Sequence, residues 1–283
     1  MTKRAMKTYA SLPLQHALPF AVDVYPPQGE AQGTIIYFHG GGFLCGEASD
    51  LPEPYLDLIQ AAGYALVACA YPLAPENTLA DILDVSEAFL RWFEDQGAES
   101  LHVPTNYTLF GRSAGAYLAL ALASRDWSRP EALVSFYGYS QLTDATFRVP
   151  SPYYRNFKAV PESLIQTLTQ DEPVLSRPLS TGYSLYLYAR QSGRWLALLG
   201  LDRKGAKALS ISDEALAHCP KTFLAAGLED PDIPVRQSQQ LAKKLPQAKS
   251  QFIPVREHDF DRTQIEALGL PLYREMLAWL AEN

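Results

Sequence analysis

Residues 107–123 read Tyr-Thr-Leu-Phe-Gly-Arg-Ser-Ala-Gly-Ala-Tyr-Leu-Ala-Leu-Ala-Leu-Ala. An apolar, β-prone run ends in Gly111-Arg112-Ser113-Ala114-Gly115, and a small-residue, Leu-rich run follows at once. This order constrains the chain severely: a strand must turn abruptly into a helix, with one hydroxyl at the apex. A side chain at either glycine would collide with the neighbouring strand or helix. The apex residue must accept strained backbone angles, which suits a functional site better than an ordinary turn. Ser113 is therefore a candidate nucleophile.

The flanking sequence sets that turn in a larger alternation. Phe20–Tyr25 is short and β-rich, and Pro26-Pro27 ends it. Thr34–Phe38 and Tyr64–Tyr71 are continuous apolar runs of the kind shown by strands buried on both faces. From Thr78 to Phe93 apolar residues recur at helical spacing, and Gly97 is a plausible stop. After the Ser113 turn and its helix, Ala132–Tyr137 reads as another buried strand. Between Gln141 and Cys219 the rhythm breaks into prolines, tyrosines and helical patches such as Tyr183–Leu201. It resumes with a strand at Thr222–Ala226, a helix at Val235–Leu245, a strand at Ser250–Val255 and a last helix at 266–281. Alternating strands and helices imply a mostly parallel sheet with helices on both faces. The expected organisation is one α/β domain, residues 1–140 and 220–283, with a mainly helical insertion at 141–219. That insertion would lie over the carboxyl ends of the strands, where open α/β folds bind ligands.

Composition narrows the partners. A formal net charge of −7 with no basic cluster argues against nucleic acid. Hydrophobic residues make up 47% and charged residues 19%, the balance of a soluble globular protein. The basic start Met1–Lys7 is followed by no apolar signal region, and no run approaches membrane-spanning length. Cys45, Cys69 and Cys219 lack metal-ligand spacing and cannot all pair. Buried free thiols in a reducing compartment, hence a cytoplasmic protein without membrane insertion, are the expectation. No metal or cofactor site is expected.

A serine hydroxyl is a weak nucleophile and needs a base oriented by an acid. On a strand–turn–helix elbow the partners follow in chain order, acid and then histidine. That order excludes His16, His39 and His102. His218 stands at the start of a strand, remote from the elbow, whereas His258 follows the last strand and is the expected base. The acid belongs after the preceding strand, where Glu229, Asp230 and Asp232 crowd together. The pattern Asp-x-x-Ile-Pro favours Asp230 with Asp232 as the alternative, and either carboxylate is equally suited to capping the helix that follows. Attack on a carbonyl builds an oxyanion that needs donors in place. His39-Gly40-Gly41-Gly42 follows a buried strand, and no Gly-Lys-Ser/Thr marks it as a phosphate loop. The backbone amides of Gly41, Gly42 and Ala114 are the expected oxyanion donors.

Together these residues resemble the hormone-sensitive-lipase-like branch of the α/β-hydrolases, microbial carboxylesterases with an HGGG oxyanion loop. The resemblance spans Ile35–Val134 and Thr222–Phe260 and rests on HGGGF at 39–43, YPLAPE at 71–76, GRSAG at 111–115, DPDIP at 230–234 and HDF at 258–260. It implies an α/β-hydrolase fold, with nucleophile, acid and base at Ser113, Asp230 and His258. Two departures stand out. The family usually carries an acidic residue before the nucleophile, where this chain has Arg112. Its cap draws largely on residues before the first strand, whereas here the extra material lies at 141–219.

The resemblance implies a serine carboxylesterase acting on a small-molecule ester, short-acyl or aryl, through an acyl-enzyme. Alternatives are another acyl hydrolase on the same triad (arylformamidase, feruloyl or carbohydrate-acetyl esterase, peptidase) or a non-catalytic ligand-binding protein of this fold. Arg112 is expected to pair with a carboxylate from the insertion or the Glu76 loop, or else to form a local surface salt bridge. Tyr153, Tyr154, Tyr183, Tyr186, Tyr188 and Trp195 either line an acyl or aryl pocket or serve packing. The last strand and helix are a candidate homodimer edge.

Overall fold

The computed structural model describes residues 8–14 and 16–282, so the reading of Met1–Lys7 lies outside the described residues. The strands are β1 (Thr8–Ser11), β2 (Ala21–Tyr25), β3 (Gly33–Phe38), β4 (Tyr64–Ala70), β5 (Tyr107–Arg112), β6 (Ala132–Phe136), β7 (Lys221–Gly227) and β8 (Ala248–Ile253). They form one sheet of eight in the order β1-β2-β4-β3-β5-β6-β7-β8. Pairing is antiparallel for β1/β2 and β2/β4 and parallel from β4 to β8. The longer helices are α1 (Glu53–Ala61), α2 (Leu79–Trp92), α3 (Ala114–Ala123), α4 (Leu179–Ser192), α5 (Arg236–Lys244) and α6 (Leu270–Leu280).

Side chains alternate across the sheet with period two, which divides the core into two layers. Along β3, Ile36 and Phe38 join the layer under α2 and α3. Ile35 and Tyr37 join the opposite layer with Tyr55 and Ile59 of α1 and Tyr273 and Met276 of α6. Strands walled on both sides have no polar face to show, hence their unbroken apolar runs. Helix α3 is buried at all ten positions, against β3, β5, β6 and α2.

Local signals explain most boundaries. Thr78 caps α2: its hydroxyl accepts from the Asp81 amide while Asp81 accepts from the Thr78 amide. Gly97 does not stop this helix. The chain stays helical through Phe93–Gly97 and Ala98–Ser100, and Gly97 is bare because a Cβ would meet the Trp92 ring at 2.6 Å. The last helix opens with a wider turn at Ile265–Gly269 before α6. Strand β1 had no counterpart in the sequence reading; a four-residue edge strand is too short to show a period.

Between β6 and β7 no strand occurs among the described residues. The helical patch expected at 183–201 starts earlier, as α4, and is broken at Gly193 (φ 70°) before the short turn Trp195–Leu198. This segment is stitched to the rest of the chain by backbone hydrogen bonds. Gly46 and Arg177 exchange two, Leu73 donates to Val174 and Leu79 donates to Leu199. The three cysteines are buried free thiols, and burial pushes Cys45 and Cys219 up to about 12. Among the described residues no helix is long and apolar enough to cross a membrane.

Candidate active site

The parallel register brings five strand ends abreast. Phe38 pairs with Gly111, Arg112 with Phe136, Phe136 with Ala225, and Gly227 with Ile253. The loops leaving β3, β5, β6, β7 and β8 therefore emerge along one edge. That edge holds His39–Gly42, Ser113, Tyr137, Asp230 and His258.

Ser113 occupies the apex between β5 and α3 with φ 54° and ψ −116°, a strained pair for a residue with a side chain. Packing enforces it. A Cβ on Gly111 would sit 2.1 Å from the Gly115 carbonyl oxygen, and one on Gly115 would sit 2.1 Å from that of Phe38. The Ser113 amide donates to the Phe136 carbonyl at 2.9 Å, which anchors the turn to β6.

His258 lies between Ser113 and Asp230. Its Nε2 is 2.8 Å from Ser113 Oγ and its Nδ1 is 2.7 Å from Asp230 Oδ2. The other Asp230 oxygen accepts from the amides of Asp232 (2.8 Å) and Ile233 (3.0 Å), so this carboxylate also holds the following turn. Asp232 faces elsewhere: its Oδ2 accepts from the Tyr186 hydroxyl at 2.6 Å and its Oδ1 is 3.0 Å from Arg190 Nη2. Asp232 Oδ2 comes no nearer than 4.0 Å to His258 Nε2. Burial disfavours a charged His258, but the Asp230 carboxylate and its hydrogen bond, helped by Asp232 and Asp259, outweigh it. The ring is pushed up to about 9. His218, the other histidine after Ser113, is exposed just before β7.

The glycine loop after β3 is shaped by the residue that opens it. His39 is fully buried and stacks on Tyr71 at 4.3 Å. Burial holds its pKa below the ordinary histidine value, so the ring is neutral and Nδ1–H donates to the Gly40 carbonyl at 2.8 Å. Gly41 (φ 99°) and Gly42 (φ 64°) take up left-handed angles. Trp195 Nε1 donates to the Gly42 carbonyl at 2.9 Å, and the Tyr186 ring packs so close that a Gly42 Cβ would overlap it. A cavity of about 440 Å³ opens over Ser113 and His258, walled by Gly41, Gly42, Tyr154, Tyr183 and Tyr186.

The chain as a whole matches a known family. A family model described as the alpha/beta hydrolase fold matches residues 35–260. The chain is an α/β-hydrolase. The matching family is the hormone-sensitive-lipase-like branch of that fold. An ethyl acetate hydrolase of Pseudomonas putida is 33% identical over 146 residues, 48% of this chain and 44% of that protein. An acetyl esterase of Salmonella paratyphi B is 31% identical over 134 residues, 44% of this chain and 41% of that one. The α/β-hydrolase thus spans less than half the length of these curated relatives. The crystal structure of an alpha/beta hydrolase superfamily protein from Enterococcus faecalis superposes with a TM-score of 0.86 at 29% identity, covering 99% of this chain and all of the other (100%).

Arg112 departs from its sequence expectation. In this α/β-hydrolase it reaches neither the 141–219 segment nor Glu76, nor is it at the surface. It is buried and pairs with Asp261 (Nε to Oδ2, 3.3 Å) and with Asp50 at 3.7 Å. Glu76 is taken instead by Arg177, at 2.5 Å. Of the tyrosines singled out, Tyr154, Tyr183 and Tyr186 face the cavity, while Trp195 packs behind the glycine loop. Tyr137 was overlooked because nothing in the sequence marks it, yet its ring lies 4.6 Å from that of His258.

Proposed function

We propose that this α/β-hydrolase is a serine carboxylic-ester hydrolase acting on small esters, short-acyl or aryl, through an acyl-enzyme. The observation that carries the reading is the unbroken hydrogen-bonded line Ser113 Oγ, His258 Nε2, His258 Nδ1, Asp230. In it, neutral His258 takes the Ser113 proton as Oγ attacks the carbonyl. Asp230 fixes the ring and stabilises the imidazolium without taking a proton. The developing oxyanion lies among the amides of Gly41, Gly42 and Ala114. Ala114 is the first residue of α3, so its N–H has no partner within the helix. His258 then protonates the departing alkoxide, and water, deprotonated by the same ring, releases the acid.

Residues 141–219 act as the cap in this reading, since α4 supplies the tyrosine wall opposite the glycine loop. A cavity of about 440 Å³ lies near the lower end for small-molecule sites, which favours short acyl or single-ring substrates. The names of the ethyl acetate hydrolase and acetyl esterase relatives point the same way. The three buried thiols suit a reducing, cytoplasmic setting.

The test pairs a fluorophosphonate probe with p-nitrophenyl esters of increasing acyl length. Wild-type protein should label at Ser113, hydrolyse acetate and butyrate best, and lose both properties on Ser113→Ala. No labelling of the wild type, or equal labelling of Ser113→Ala, would end the proposal.

A further inference from the structure

A base on a loop has to be held against its nucleophile by more than the hydrogen bonds it uses. His258 sits between the end of β8 at Ile253 and a short helical turn, Phe260–Thr263, with no long element beneath it. What lies beneath is Asp261, fully buried and surrounded by donors from four distant parts of the chain. Arg112 approaches both of its oxygens, Tyr137 donates to Oδ1 at 2.9 Å and Tyr273 to Oδ2 at 3.3 Å. The Tyr55 hydroxyl donates to the Asp261 backbone carbonyl.

Two of these donors belong to the nucleophile's own surroundings. Arg112 is the residue before Ser113, and its Nε donates to the Tyr137 hydroxyl at 2.8 Å. Tyr137 follows Phe136, the residue that receives the Ser113 amide, and its own amide donates to Ala225 of β7 at 2.6 Å. Its ring lies against His258. One guanidinium and one phenol thus span the serine turn, the histidine ring and the turn that carries the histidine.

We propose that Arg112, acting through Asp261 and Tyr137, is a positioning residue that locks the His258 loop to the Ser113 turn. The proposal deepens the esterase reading and rests on it only for the reaction that the locked ring performs. The chemistry of the contact supports it. Arg112 is 2% exposed, and a buried ion pair generally stabilises no better than well-packed apolar side chains of the same volume. What the charged pair adds is geometry: a planar fork meets a carboxylate and a phenol in one arrangement. Asp50, 3.7 Å from Arg112 and 2.6 Å from Arg262, balances the remaining charge, and the Tyr37 hydroxyl donates to it at 2.6 Å.

The test follows the His258 ring itself, so it does not depend on any ester being turned over. Its titration is read by NMR, with the resonance identified by its loss in His258→Gln. The titratable groups facing the ring are Asp230, Asp232, Asp259 and Tyr137; the three carboxylates stay unaltered, and Tyr137→Phe removes only a phenol that burial keeps neutral. Loosening the loop weakens the Asp230 bond, so in Arg112→Met and Tyr137→Phe the His258 midpoint should fall by about one pH unit or more. On p-nitrophenyl acetate, compared at a pH above the midpoints of all variants so that His258 is neutral in each, kcat should drop at least about tenfold with KM within about twofold, as expected when reacting groups are misplaced rather than binding lost. Arg112→Lys should recover part of both effects. Folded variants with a wild-type His258 midpoint and wild-type kcat, changed only in Tm, would overturn the proposal. If Arg112→Met does not fold, Tyr137→Phe, which keeps the ring against His258, decides by the same readouts. A shifted midpoint in a protein that hydrolyses no ester would uphold the lock and defeat the esterase reading alone.

Discussion

At the residue scale the sharpest contrast is between two aspartates two positions apart. Both are buried, and both stand in the loop after β7. Asp230 contacts His258 Nδ1 and accepts from the Asp232 and Ile233 amides, but it does not cap the following helix, which starts after Val235 without a side-chain cap. Asp232 is turned toward Tyr186 and Arg190. Asp230→Asn should therefore lower kcat by on the order of 10⁴-fold, because the amide favours the wrong histidine tautomer. Asp232→Asn should cost far less in kcat and instead lower Tm, since it leaves the Arg190 guanidinium buried without its counter-charge. Steady-state kinetics and thermal melts of the two variants check this, and a larger kcat loss in Asp232→Asn would reverse the assignment. Chain order made His258 legible and the short Asp-x-x-Ile-Pro pattern favoured Asp230. The direction in which Asp232 turns depends on the α4 side chains Tyr186 and Arg190, and no local pattern encodes that.

At the scale of elements, the central strands were readable because burial on both faces leaves mostly apolar residues. The segment between β6 and β7 was readable only as a break in rhythm, and the element that fastens it was not foreseen. Arg177, 6% exposed, donates to the Leu44 and Ala74 carbonyls at 2.6 and 3.0 Å and pairs with the fully buried Glu76 carboxylate. It thus joins the segment to the chain just beyond the glycine loop and to the turn before α2. Arg177→Met leaves a buried carboxylate unpaired, a loss of about 3–5 kcal/mol. Tm should fall by about 10 °C. Adding Glu76→Gln should restore part of it, because the stranded charge is gone. Melting within about 2 °C of wild type for Arg177→Met would show that the tie does not hold the segment.

For the whole molecule, the least legible feature is that charge is concentrated under the reacting groups. Arg112 and Asp261 are 149 positions apart, and periodicity cannot connect them. The arginine in the Gly-x-Ser-x-Gly motif was visible as an oddity, but its partner was not. This buried polarity carries a cost in pH. Asp230, Asp232 and Asp259 push His258 up to about 9, above the roughly 6.5 of an unfolded histidine. The folded protein therefore binds this proton more tightly than the unfolded chain does. The stability it contributes is complete below about pH 6.5 and is lost as pH rises through about 9. In the proposed mechanism activity runs the other way, because only a neutral His258 would accept the Ser113 proton. Between pH 6.5 and about 9, kcat/KM should climb while the His258 contribution to stability falls away. A pH series of kcat/KM on p-nitrophenyl acetate, with melts of wild type and His258→Gln at each pH, separates the two. In the melts, the advantage of wild type over His258→Gln should shrink toward alkaline pH. A kcat/KM plateau already reached at pH 7 would mean that the carboxylates do not hold the proton on His258.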